Sequence, residues 1–136
     1  MPSAPLDPLD LRSQADGLLQ EAGERLHQML REAVQYLDPF PSFPGAFFTL
    51  GIEVEPPEAM SRERGCVVLA PNGDLYELVI GQDLEAMAQG ITDPVELRTE
   101  ELKVPENFHP REYILYAHTA LMKVLELIQE RRAGRS

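Results

Sequence analysis

The side chains with the widest chemical range here are three histidines, His27, His109 and His118, and one cysteine, Cys66. His109 and His118 lie nine positions apart, about half a turn out of phase on a helix, and no histidine has a cysteine or carboxylate at ligand spacing. A metal site therefore has no support. Tyr113, Tyr116 and His118, beside Glu112, have the residue types of an acid–base cluster. Helical spacing keeps them off a single face, so packing is the expected role. Cys66 would be a nucleophile only if a histidine or a helix N-terminus lowered its pKa. Inside a strand beside Val67 and Val68, it reads instead as a small buried hydrophobe.

Carboxylates are the other candidates. Asp93, Glu96, Glu100, Glu101 and Glu106 crowd one stretch, and paired acids can serve as a general acid–base pair or bind calcium. No Asp-x-Asp-x-Asp-Gly loop exists, and Asp74 stands alone after its turn glycine. The five acids read as a solvated edge that discourages sheet-to-sheet aggregation and as a candidate interaction surface. Gly51, Gly65, Gly73, Gly81 and Gly90 are isolated, so the glycine-rich phosphate loops and the Gly-x-Ser-x-Gly nucleophile turn are missing. Neither a catalytic residue nor a cofactor is assigned.

Composition sets the outer bounds. The chain has 136 residues, 43% of them hydrophobic and 26% charged, with a formal net charge of −11. That is the size and balance of one ordinary globular domain, expected to span 1–136. Most of the negative excess lies in residues 53–106, with 13 acids against 4 bases. Such a field repels phosphate backbones and anionic lipid, so nucleic acid and membrane are not expected partners. No apolar stretch approaches the roughly 20 residues that cross a bilayer. The opening residues lack the basic start and apolar core of a secretory signal. With a single cysteine, these features suggest a cytoplasmic setting.

Several elements must position the candidate groups. Residues 1–7 are proline-rich and read as a mobile lead-in. Ala15, Leu19, Ala22, Leu26, Met29, Ala33 and Leu37, widened by Leu18, Leu30 and Val34, mark a long amphipathic helix opened by Asp7-Pro8. Pro39, Pro41 and Pro44 end it in a stiff elbow, which Phe40 and Phe43 pin to the core. Ala46 to Glu55 alternates with Phe48, Leu50, Ile52 and Val54 on one face and reads as a half-buried strand. Pro56-Pro57 stops it, and Glu58 to Arg64 is a polar loop.

The strongest local signal is a hairpin over 65–81. A two-residue Asn-Gly turn would put Pro71 at a paired position and lose a ladder bond. A three-residue loop, with Pro71 and Asn72 central in a type I turn and Gly73 left-handed at a bulge, satisfies every φ preference. It pairs Val68 with Tyr76 and Cys66 with Leu78. Asp83 to Gln89 reads as a short helix closed by Gly90. Val95 to Val104 is either one bulged edge strand or a short strand and a loop. The last helix opens at His109-Pro110, buries Ile114, Ala117, Leu121, Val124 or Leu125, and Ile128, and is closed by Gly134, leaving a frayed tail at 133–136.

The expected fold is α+β: an antiparallel sheet of three to four strands against long N- and C-terminal helices, in the order helix, three strands, short helix, strand, helix. In size and charge, with helices flanking a sheet, the chain resembles secretion-type chaperones; no residue role is taken from that likeness. The leading functional reading is a non-catalytic protein-interaction module, an adaptor, chaperone-like or regulatory subunit, using the acidic surface, helix pairing or both. Its expected partners are a basic protein and a second copy of the chain. The alternative is a small enzyme or ligand-binding domain with a pocket between sheet and helices, lined by Phe48, Tyr76, Tyr113 and His118.

Overall fold

The computed structural model describes residues 7–55 and 65–134. The proline-rich lead-in before Asp7, the polar loop at 58–64 and the last two residues of the tail lie outside them. Helix α1 runs Pro8–Ala33 and tightens into a 3₁₀ turn at Val34–Tyr36. The Asp7 carboxylate accepts the Leu9 N–H at 2.8 Å, and Pro8 occupies the first turn, where its missing N–H has no intrahelical partner to lose. Then follow β1 (Ile52–Val54), β2 (Cys66–Leu69), β3 (Leu75–Gln82), α2 (Leu84–Ala88), α3 (Pro94–Leu97), β4 (Arg98–Lys103) and α4 (Pro110–Ala133).

The four strands form one antiparallel sheet in the order β1-β2-β3-β4. The fold is α+β, with the two long helices on one face of the sheet. Ile52, Val54, Val67, Leu69 and Leu75 meet Leu30, Ala33 and Val34 from the first helical segment and Tyr116, Ala117, Ala120, Leu121 and Val124 from α4. Small residues let the helices approach: a Cβ on Gly23 would lie 3.4 Å from the Tyr113 ring. Contacts advance in the same direction along both helices. Gly23 meets Tyr113 near the start of α4, while Arg131 near its end donates to the Pro39 carbonyl at 2.7 Å.

The opposite sheet face is closed by the proline elbow. Phe43 packs on Val68 and Leu78. The Phe43 N–H donates to the Thr49 carbonyl at 3.0 Å and the Gly51 N–H to the Pro41 carbonyl at 2.9 Å. This pairing shortens the strand expected over 46–55 to Ile52–Val54, because residues 46–50 bend back against 41–43 instead of extending the ladder. Phe48 is consequently exposed rather than core. One further expectation changes. Cys66 is exposed, since it begins β2 on the elbow side of the sheet. On α4 the buried face takes Val124 rather than Leu125 and includes Tyr116.

The stretch 95–104 divides into a helical turn, α3, capped by Asp93, and the edge strand β4 paired with β3 from Glu77–Lys103 to Gln82–Arg98. In the hairpin, Val68 pairs with Tyr76 and Cys66 with Leu78, as the three-residue loop requires. Gly73 sits at φ +87° and donates to the Ala70 carbonyl at 2.9 Å, while the Ala70 N–H reaches the Asp74 carbonyl at 3.0 Å. A Cβ on Gly73 would fall 2.8 Å from Arg31 Cα and 2.9 Å from Arg31 Cγ, so the hairpin tip lies directly on α1.

Gly90 offers a control, with φ +92° and nothing within 4 Å of the position a Cβ would take. Gly90→Ala should lose only the left-handed backbone preference, about 1–2 kcal/mol. Gly73→Ala should lose that amount and also displace the tip, so its denaturant midpoint should fall clearly further. Equal losses would mean the tip does not bear on α1.

Candidate functional site

Of the five acids read as a surface, Glu100 does not face solvent. Its side chain is 1% exposed. The carboxylate accepts the Phe47 N–H at 2.6 Å, the Phe48 N–H at 3.0 Å, the Thr49 hydroxyl at 2.7 Å and Arg98 Nε at 3.2 Å. Arg98 also donates to the Gly45 carbonyl at 2.6 Å and lies 4.4 Å over the Phe47 ring. Desolvation alone would raise the Glu100 carboxyl; the hydrogen bonds from Thr49, Phe47, Phe48 and Arg98 outweigh it and bring the pKa from 4.5 down to about 2. Glu100 thus locks the 45–49 loop to β4. The Asp93 carboxylate is taken by the Val95 N–H at 2.9 Å. Glu96, Glu101 and Glu106 remain on the surface.

A cavity of about 460 Å³ lies between α1, the hairpin and the 104–110 connection into α4. It holds an arrangement with no linear signal, His27 Nε2 and Asp74 Oδ1 at 2.5 Å, contributed by residues 47 positions apart. Both side chains are partly exposed, at 39% and 34%, so the pair is worth no more than about 1 kcal/mol in stability. It ties the hairpin to α1 beside the Gly73 contact. The His27 ring stands edge-on to Tyr113 with centroids 6.3 Å apart, and Phe108 stands edge-on to Tyr113 at 5.6 Å. Tyr113 Oη is buried and has no hydrogen-bond partner among the described residues. Burial first, then the Asp74 charge, pushes the phenol up from 10.0 to about 12, against a smaller lowering by Arg31.

Of the four residues expected to line a pocket, Tyr76 and Tyr113 meet here, while Phe48 and His118 do not line it. Phe48 belongs to the loop held by Glu100, and His118 is on the outer side of α4. Among the described residues no three His, Cys, Asp or Glu side chains are grouped as metal ligands. Burial and the Glu53 charge raise the Cys66 thiol, the opposite of what an activated nucleophile needs. No helix among the described residues is long and apolar enough to cross a membrane.

A third feature is the free edge of α1. No described residue before Gly23 is buried, and Leu11, Leu18 and Leu19 are exposed, Leu18 at 67%. At 1.5 Å per residue, the segment from Pro8 to Ala22 carries α1 about 22 Å past its contact with the start of α4. Comparison with family models, with curated proteins and with solved structures finds no match to the chain.

Both shifted groups set pH limits. A lowered carboxyl contributes stability above its unfolded pKa, so the Glu100 contribution should be in place at neutral pH and be lost as pH falls from about 4.5 towards 2. Thermal melts of wild type and Glu100→Gln should differ at pH 7 and converge at the acid end of that window. A raised phenol works in the other direction. Ionisation of Tyr113 should leave stability unaffected below pH 10 and lower it between 10 and about 12. Tyr113 should then ionise late in an absorbance titration, and Tyr113→Phe should reduce the late-ionising amplitude by one tyrosine.

Proposed function

We propose that this chain is a non-catalytic protein-interaction module that works by helix pairing through α1, with a second copy of itself as first partner. The observation that supports this is the exposed seam on α1. Leu11, Ala15, Leu18, Ala22 and Met29 recur at spacings of 4, 3, 4 and 7, the a/d alternation of paired helices, and all five are exposed. The stripe therefore has two edges. Gly23, Leu30 and Ala33 serve the core, and the residues of the other edge are exposed.

Charge fits self-pairing along this face, since Glu21 and Arg25 bring both signs to its border. The acid-surface version has less behind it. Glu100 and Asp93 are engaged within the chain. Catalysis also has less support, because among the described residues no serine, cysteine or lysine lines the cavity that holds the His27–Asp74 pair. A cytoplasmic setting belongs to the proposal, since it keeps the exposed Cys66 reduced.

Burying one leucine yields roughly 1.5–3 kcal/mol. Leu18→Glu should thus weaken association at least about tenfold in sedimentation velocity. With a net charge of −11, self-pairing should strengthen as salt screens repulsion. A strict monomer at high micromolar concentration in moderate salt would reject the second copy as partner. Capture of a basic protein that weakens steeply with salt would move the function to the acids.

A further inference from the structure

We infer that the His27–Asp74–Tyr113 cavity binds a small organic cation, an ammonium group carried on an apolar or aromatic body. This site is independent of the helix seam, and its volume of about 460 Å³ falls within the roughly 300–1,000 Å³ of small-molecule sites.

Charge selects the sign of the ligand. Two carboxylates, Glu24 and Asp74, line the cavity, and among the described residues no lysine or arginine does. Arg31 acts on Tyr113 through space, but its stem lies against Gly73 and it is not part of the lining. Beyond His27, which is already paired with Asp74, an anion would meet the Glu24 carboxylate and the net charge of −11. Bare metal ions are also poorly served, for want of a third grouped ligand among the described residues.

Aromatic faces select the rest. Tyr76, Phe108 and Tyr113 surround the space with the π surfaces that favour an ammonium, and Leu75, Val104 and Pro105 supply an apolar wall for its carbon body. Tyr113 Oη is the second, independent pointer. A buried hydroxyl without a partner costs about 1–3 kcal/mol; its ring lines the space, and the oxygen, closed to solvent, gains a partner once a ligand N–H displaces the atoms over it. Asp74 is held in place by His27 and by the Asn72 side chain, whose Oδ1 accepts the Asp74 N–H at 2.9 Å. Glu24 makes no ion pair or side-chain hydrogen bond among the described residues and is available to the cation.

The test is a two-dimensional NMR titration of the labelled full chain with 2-phenylethylammonium, using phenylacetate as an anionic probe of similar size. Saturable shifts should be confined to Gly23, Glu24, His27, Asp74, Phe108 and Tyr113 with the ammonium and be absent with the anion. Glu24→Gln, a surface change that breaks no bond among the described residues, should weaken binding about tenfold, the equivalent of 1.4 kcal/mol. Tyr113→Phe should weaken binding while leaving the melting temperature unchanged or raised, because the hydroxyl it removes has no partner among the described residues. No saturable shift at the cavity, binding of phenylacetate as tight as the ammonium, or a Tyr113→Phe variant that melts lower and binds normally would each overturn the inference.

Discussion

The contact between the hairpin tip and α1 is the constraint on which the other features depend. An antiparallel hairpin has its own register, but nothing in it says where its tip should lie. Here Gly73, with no Cβ to intrude, lets the turn sit on the helix backbone at Arg31. Placed there, the strands present Val67, Leu69 and Leu75 to the helices, and Asp74 comes within reach of His27. The core, the cavity and the orientation of the edge strand all follow from one close approach.

The sheet must then be covered on its other side, where Val68 and Leu78 would otherwise meet water. No third long helix exists among the described residues, and the proline elbow takes the task. Three prolines keep the chain extended enough to pass under β2 and β3, and Phe43 supplies the apolar plug. Glu100 closes the arrangement by accepting two backbone N–H groups that the bent segment has removed from any strand ladder. A charged residue on an edge strand therefore acts as the anchor of a loop some fifty residues earlier in the chain.

What could be read from the residues follows the range of the forces involved. The hairpin register was legible because Pro71, Asn72 and Gly73 each restrict their own φ, and a local restriction needs no tertiary partner. The helix ends were legible for the same reason, through Asp7-Pro8 and Pro110. The strand over 46–55 was overread because its alternation is real, yet Phe47 and Phe48 find their hydrogen-bond partner in Glu100, which no local pattern announces. The candidate site was legible only in part. Tyr76 and Tyr113 were placed together by assuming that sheet and helix meet, whereas His27 and Asp74 come together only through the tip contact. The acids looked alike in the sequence, and what separates Glu100 from Glu101 is the set of donors that the bent 45–49 segment and Arg98 bring to it.

The parallel course of α1 and α4 has a consequence for how the molecule can be held. Because Gly23 meets the start of α4 and Pro39 meets its end, the described chain ends, Asp7 and Gly134, project from opposite poles rather than from one side as in many small domains. Tethers at the two ends would pull along the length of both helices. The load would fall on their shared packing in shear, and the sheet would be left largely unstressed.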